Sequence, residues 1–305
     1  MKKWVLKALI QKFISFLPGS HRINFWFQKY ITKGVHLSDS YFSDKLMHAE
    51  DHLRFYTKNH SLAGIRTLEL GTGWYPVVPI SLYLAGAESV STIDLSRLMN
   101  QEALVATVQK FQAWLKEDKL KQFKDFWRED RLQQLMILEA DKLDFESLLL
   151  AFNLDYRVGD ARHLTDADAS FDLIHSNNVF EHIYPQILKE ILMEFKRVLK
   201  PQGLMSHFID MSDHFAHLDS SINIYNFLRF SESAWQTIDN SVQPQNRLRL
   251  SDYEAMYADL DLPILDKKVR PGEPDKLEGM KLAAPYKGRP TEDLAISHAH
   301  LINSL

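Results

Sequence analysis

Apolar positions along this chain change period as it proceeds. Over residues 3–17, Val5, Leu6, Leu9, Phe13, Phe16 and Leu17 gather on one side of a helix, while Lys3, Lys7, Gln11 and Ser15 recur at steps of four on another. That spacing predicts a basic amphipathic helix ended by Pro18-Gly19. Helical pattern continues in INFWFQKYI and in SDKLMHAEDHLRFY, the latter with Ser43 as its predicted N-cap. From Gly64 onward short apolar runs alternate with helical ones, the texture of a parallel sheet with crossover helices. Strands are predicted near 67–70, 89–94, 155–159, 171–176 and 204–210, and helices near 76–85 and 185–199, the second broken by Lys200-Pro201-Gln202-Gly203. Apolar runs at 263–269 and 294–302 supply two further strands that close the sheet.

The interval from Asp94 to Asp160 is too long for this scheme, since one helix and one strand need only about 20–25 residues. Its surplus reads as helical, with Leu104, Val108, Phe111 and Leu115 at helix spacing, and predicts a helical insertion or lid over about 98–150. The expected organisation is a basic helical extension at 1–60 followed by one large domain at 61–305.

Composition narrows the chemistry. The 305 residues contain no cysteine, which excludes a disulfide framework, a thiolate metal site and a Cys nucleophile, and is compatible with a reducing cytoplasm. Net charge is -4, but residues 1–60 carry ten bases and four acids, so this segment is +6 and the rest is -10; the first acid is Asp39. Charge segregated in this way predicts a local contact with something anionic, and no nucleic acid is expected as a partner. The amphipathic segment is too interrupted by charge for a secretory signal and too short to span a bilayer. Peripheral docking of residues 1–17 on the inner face of a membrane and plain packing on the domain both remain open.

The sharpest local signal is LELGTGWYP, Leu68 to Pro76, where a strand hands over to a helix. Gly71 and Gly73 permit a tight turn and close approach of backbone to ligand, and Asp94, 23 residues after Gly71, ends the next strand as a carboxylate able to accept ribose hydroxyls. Pro76 and Pro79 both fall in the first helical turn and offer no N–H, so an anion cradle for pyrophosphate loses two donors. An adenosine ligand without phosphate fits better, and S-adenosylmethionine is the common one.

At this point the sequence resembles the class I S-adenosylmethionine-dependent methyltransferases over about residues 64–210. Glu69-Leu70-Gly71-Thr72-Gly73 is similar to the first motif, Asp94-Leu95 to the ribose acid and its neighbour, Gly159-Asp160-Ala161 to the adenine-side motif, FDLIHSNNVFEHI to the fourth strand and its loop, and RVLKPQGL to the turn before the fifth. Tyr75 departs from the third glycine of the first motif, and Gln202 from a glycine of the last. The resemblance implies an α/β fold with a Rossmann-like, mostly parallel seven-stranded sheet and helices on both faces, here with N-terminal helices and an insertion. It implies S-adenosyl-L-methionine as cofactor, held by Glu69, Gly71, Thr72, Gly73, Asp94, Leu95, Asp160, Ala161 and Asn177. Asn178 falls in the same loop and is equally compatible with a plain turn.

Beyond the fifth strand, HFIDMSDHFAHLDSS crowds His207, Asp210, Asp213, His214, His217 and Asp219 where an open sheet gathers ligands. His214 and Asp210 are the candidate base for an acceptor proton, with His182 as a further catalytic candidate or a helix-packing residue. The spacing matches no strong metal motif, and no metal is expected. Arg247 and Arg249, two apart in QNRLRLSDY, point to one side of an extended segment and are candidates for an anion clamp or for strand polarity. The expected reaction is methylation of oxygen or nitrogen on a small-molecule, glycan or lipid-precursor acceptor. A nicotinamide-dependent oxidoreductase and a non-catalytic membrane-docked adapter are the alternatives.

Overall fold

The computed structural model describes residues 2–17 and 36–305. Strands β1 (Arg66–Leu70), β2 (Ser89–Asp94), β3 (Leu154–Val158), β4 (Phe171–Asn177), β5 (Leu199–Asp210), β6 (Ile264–Arg270) and β7 (His298–Asn303) form one sheet of order β3-β2-β1-β4-β5-β7-β6. Helices are α1 (Lys3–Ser15), α2 (Asp39–Thr57), α3 (Val77–Leu84), α4 (Gln101–Lys116), α5 (Glu129–Ile137), α6 (Phe145–Ala151), α7 (Pro185–Val198), α8 (Glu232–Ile238), α9 (Leu250–Asp259) and α10 (Thr291–Ala295). The α/β class and the Rossmann-like sheet expected from the sequence are present. INFWFQKYI and the Pro18-Gly19 stop lie outside the described residues.

β1 pairs in parallel with β2 and β4, and β2 with β3; Leu70 stands opposite Ile93 and Ser176, and Asp94 opposite Val158. The carboxyl ends of four strands are thereby brought level. β7 runs the other way: Met211 N–H donates to the Ser297 carbonyl (2.8 Å) and Ser297 N–H to the Arg270 carbonyl (3.0 Å), which joins the start of β7 to the ends of β5 and β6.

The chain divides into two compact units. One comprises His36–Asn177, Glu190–His207 and Ile302–Leu305. Its core unites Phe42, Leu46 and Leu53 of α2, the wholly buried α3, and Leu104, Val108 and Phe111 of α4 with Phe123, Trp127, Leu135 and Leu148. The expected insertion therefore forms α4 to α6 but places its apolar side chains in the core, where Phe123 stacks on Trp127 at 4.3 Å, rather than forming a free lid. α2 also starts a turn earlier than predicted: Ser38, not Ser43, is the N-cap, its hydroxyl accepting Tyr41 N–H at 3.1 Å, because the core buries Phe42 and so holds the turn before Ser43 in the helix. β5 begins at Leu199 and absorbs Lys200-Pro201-Gln202-Gly203, which the sequence reading took as a turn. Gly203 is needed for close approach, since a Cβ there would lie 2.7 Å from Leu199 Cδ1 and 3.0 Å from the Asp172 carbonyl.

The other unit comprises Met1–Val35, Asn178–Lys189 and Phe208–Leu301. Its core gathers Phe215, Tyr225, Phe227, Leu228, Trp235, Leu294 and Ala295, with Trp4 and Ala8 of α1 packed on it. No described helix is long and apolar enough to cross a membrane.

Candidate active site

At the end of β1 the backbone turns through Gly71 (φ 76°) and Gly73 (φ 72°), in the left-handed region that favours glycine. Gly71 N–H donates to the Ile93 carbonyl at 2.9 Å, tying the turn to β2. A Cβ on Gly73 would meet nothing within 4 Å, so the conformation rather than crowding calls for glycine, and the turn opens on space. Gly73 N–H donates to Asp94 Oδ1 at 3.4 Å, while Asp94 Oδ2 is buried without a hydrogen-bond partner. Burial pushes the Asp94 carboxyl up to about 7, with the Gly73 N–H opposing. An orphaned buried carboxylate oxygen is costly unless a ligand satisfies it. Beside it Leu95, next in the chain, is 78% exposed.

Glu69 and Asn177, at the ends of paired strands, share a buried network. Asn177 Nδ2 donates to Glu69 Oε1 at 3.3 Å, and Asn177 Oδ1 accepts from His52 Nε2 at 2.9 Å. His52 Nδ1 in turn shares a hydrogen bond with the Ser206 hydroxyl at 2.7 Å. Burial and the nearby Asp94 charge push Glu69 up to about 7 against the pull of Thr72, Lys45 and Asn177. The amide of Asn177 is thus engaged inside the protein. His52 and Lys45 were invisible to the motif reading, because α2 lies outside every motif; the buried helical face that carries His52 was the only signal.

Asp160 sits after β3, where Gly159 N–H donates to the Asp94 carbonyl at 2.9 Å. Its carboxylate receives Arg162 through Nε (3.0 Å), Nη2 (2.6 Å) and the backbone N–H (3.0 Å), which hold it down at about 2. Ala161 is buried alongside.

The acceptor-side candidates lie in the second unit. His214 Nε2 is 3.3 Å from Asp210 Oδ2, and His298 Nε2 is 3.5 Å from Asp210 Oδ1. Burial works to raise the Asp210 carboxyl, but the His214 hydrogen bond and the charges of His214 and His298 outweigh it and hold it well below the usual range. The His182 ring stands edge-on to His214 at 4.9 Å, and its Nδ1 donates to the Pro244 carbonyl at 2.7 Å. Burial, aided by the His214 charge, pushes His182 down to about 4, so the imidazole is neutral with Nε2 carrying the lone pair. Among the described residues Glu181, His182 and His214, and also Asp210, His214 and His217, bring donor atoms within 4.8 Å of one another. The other members of the crowded segment are engaged elsewhere: His207 with Ser176, Asp213 with Asn226 and Phe215 N–H, Asp219 with Ser221 and Trp4 N–H.

The Pro244–Asn246 segment, whose last two residues open the QNRLRLSDY run singled out for its arginines, holds both loops. Gln245 Oε1 accepts His214 N–H at 3.3 Å, and Asn246 Nδ2 donates to the carbonyls of Phe180 (2.7 Å) and Ile183 (2.9 Å) around Glu181 and His182. The expected anion clamp is corrected: Arg247 donates to the carbonyls of Phe227 and Phe230 and pairs with Glu232, while Arg249 is buried against the carbonyls of Met211 and Ile296. Both guanidiniums bind their own backbone because the segment is not an exposed strand.

Residues 131–206 match the family model described as a methyltransferase domain. The chain carries a class I S-adenosylmethionine-dependent methyltransferase domain. Among solved structures it is similar to a candidate sarcosine dimethylglycine methyltransferase from Galdieria sulphuraria (15% identity, 85% of each chain, TM-score 0.48). It is also similar to the PH0226 protein from Pyrococcus horikoshii OT3 (15% identity, 88% of this chain and 92% of that one, TM-score 0.45). A third is phosphoethanolamine N-methyltransferase 2 from Haemonchus contortus in complex with S-adenosyl-L-methionine (14% identity, 84% of this chain and 51% of that one, TM-score 0.46).

The methyltransferase match sets aside the oxidoreductase alternative. The orphaned Asp94 oxygen and the open glycine turn fit S-adenosylmethionine, and the two prolines after the turn remove donors that only a phosphate would miss.

Proposed function

We propose that this methyltransferase transfers a methyl group to an oxygen or nitrogen of a small-molecule, glycan or lipid-precursor acceptor, with His214 as the base and Asp210 as its partner. When bound, S-adenosylmethionine supplies an electrophilic methyl on a sulfonium. The chain's own residues have the remaining tasks. In this reading Asp94 accepts the ribose hydroxyls, Leu95 covers an adenine face, and the backbone at Gly71, Thr72, Gly73 and Ala161 borders the cofactor. Asp160, both of whose carboxylate oxygens already accept from Arg162, borders the adenine side through its backbone neighbourhood, and Glu69 and Asn177 brace the turn from below.

The observation that carries the base assignment is the Asp210–His214 pair at 3.3 Å, immediately after β5 in the chain. A carboxylate held ionised stabilises the imidazolium that forms when His214 takes a proton. His182, kept neutral, has a lone pair on Nε2 able to accept from the same acceptor.

A cavity of about 620 Å³ in the same unit supports a hydroxyl-rich acceptor. Its walls set the aromatic faces of Tyr184, Trp235 and Tyr286 among amides such as Gln245 and charged groups of both signs such as Lys12 and Asp239, a lining suited to a polar, hydrogen-bonding ring. Gln245 belongs both to this wall and to the support of His214. Of the three acceptor classes a lipid precursor is the one that calls for peripheral placement at a membrane, with the cytoplasm as the expected compartment.

The test is product detection by mass spectrometry with panels of hydroxylated and amine acceptors, comparing wild type with His214→Ala. Methylated product from wild type and its loss in the variant are expected; full turnover by His214→Ala would remove the base assignment.

A further inference from the structure

α1 meets the protein through Trp4, Ala8 and Ile14 and through polar side chains set between them. Gln11 Nε2 donates to Gln243 Oε1 at 2.9 Å, and Lys12 Nζ donates to the carbonyls of Gln236 and Asp239 at 2.9 and 2.7 Å. Trp4 N–H donates to Asp219 Oδ2 at 3.1 Å, and the Lys7 ammonium lies 5.7 Å from the Phe215 ring centroid. Ala8 and Ile14 are the buried apolar side chains of this helix. On the opposite side Leu6, Leu9, Phe13 and Phe16 are 46, 57, 67 and 77% exposed.

Packing alone would not produce this orientation. Burial of apolar area drives a surface helix to turn its largest apolar side chains inward, yet here Trp4, Ala8 and Ile14 share the inward side with a glutamine and two lysines, while among the described residues four large apolar side chains are left exposed. Their spacing of three, four and three residues makes one continuous stripe along the helix. Lys2 and Lys3 are exposed at its start, and the sequence has no acid before Asp39. An apolar stripe in a basic surround is complementary to acyl chains beneath anionic headgroups. With 13 residues α1 is too short to span a bilayer and long enough to lie in its surface.

We propose that α1 docks this protein on an anionic bilayer, with Leu6, Leu9, Phe13 and Phe16 entering the acyl boundary and Lys2 and Lys3 meeting headgroup phosphates. Lys7 and Gln11, on the inward side of the same helix, wall a small cavity together with His214. Docking therefore holds His214 roughly one helix diameter, ~10 Å, from the lipid surface, which favours a membrane-borne acceptor. That consequence rests on His214 being the base; the docking itself does not.

The experiment is co-sedimentation of the full chain with vesicles of phosphatidylglycerol and phosphatidylcholine in equal parts, and with phosphatidylcholine alone. Wild type is expected to sediment with the anionic vesicles, less so as salt rises. Leu9→Glu/Phe13→Glu is expected to weaken binding by roughly tenfold or more, with an unchanged Tm and an unchanged calorimetric affinity for S-adenosylmethionine. Lys2→Glu/Lys3→Glu is expected to lose the preference for anionic lipid. Three results would overturn the proposal: wild type that stays in the supernatant, a double-glutamate variant that binds as wild type does, or one whose Tm falls sharply because another part of the chain covers the stripe. A concentration-dependent dimer abolished by the same variant would assign the stripe to a second copy and also overturn it. Product formation with a soluble acceptor, unaffected by these variants, keeps the methyl-transfer reading separate.

Discussion

The side-chain oxygen of Gln245 accepts the backbone N–H of His214 at 3.3 Å, while the amide nitrogen of the same glutamine donates to the Ser212 carbonyl. One residue thus pins the loop that carries the proposed base at two points. Gln245→Ala is expected to lower kcat by roughly 10–100-fold with a much smaller change in KM for S-adenosylmethionine, since sub-ångström misplacement of a reacting group is costly. An unchanged kcat would show that the loop holds its shape without Gln245.

Asp94→Ala removes the carboxylate whose Oδ2 is buried without a partner. Loss of hydrogen bonds to a charged acceptor costs about 1.5–3 kcal/mol, so affinity for S-adenosylmethionine in calorimetry should fall by roughly tenfold or more. Unaltered affinity would refute the ribose assignment.

Burial pushes both Asp94 and Glu69 up to about 7. The folded state then binds more protons than the unfolded state between about pH 4 and pH 7, so the contribution of these groups to stability falls as pH rises through that window. Cofactor affinity has the opposite sign, because ribose hydroxyls donate best to an ionised Asp94. Melting curves of the ligand-free protein should therefore shift down from about pH 5 to about pH 7 in the share owed to these groups, while the stabilisation added by S-adenosylmethionine grows with pH. Asp94→Asn should flatten both trends.

Arg249 is fully buried, with its guanidinium donating to the Met211 carbonyl at 2.6 Å and to the Ile296 carbonyl. Arg249→Leu leaves two carbonyls unpaired at the join of β5 and β7, and urea denaturation should show a loss of about 3 kcal/mol. A loss below about 0.5 kcal/mol would mean that water replaces the guanidinium there.

If the Asp210–His214 pair works as an acid–base device, chelation of divalent metal leaves turnover unchanged. Loss of activity in EDTA that zinc restores would reassign His214 as a ligand, in company with His182 and Glu181 or with Asp210 and His217.

Local chemistry was enough to place β1, β2 and β4, because each is a short apolar run ending at a glycine, an acid or an asparagine. It misplaced the start of α2, where Ser38 and Ser43 are equally good caps and only the packing of Phe42 selects the first. It also took Lys200 to Gly203 as a turn, since proline and glycine punctuate most sequences; Gly203 instead lets β5 lie close against the Leu199 side chain and the Asp172 carbonyl of β4. The arginines of QNRLR showed their charge in the sequence but not their carbonyl partners, which lie 17 to 47 residues away.

The sequence by itself determined the strands of the sheet, the glycine turn after β1 and the acid that ends β2, because these depend on strand patterning and on backbone freedom at a few adjacent residues. Only the tertiary structure decided which polar groups serve as supports: His52 under Asn177, Gln245 under His214, Arg249 across the β5–β7 join. It also decided the orientation of α1. Periodicity shows that a helix has an apolar stripe, whereas the side turned to the protein depends on what the protein offers, and here it offers Gln243 and the carbonyls of Gln236 and Asp239.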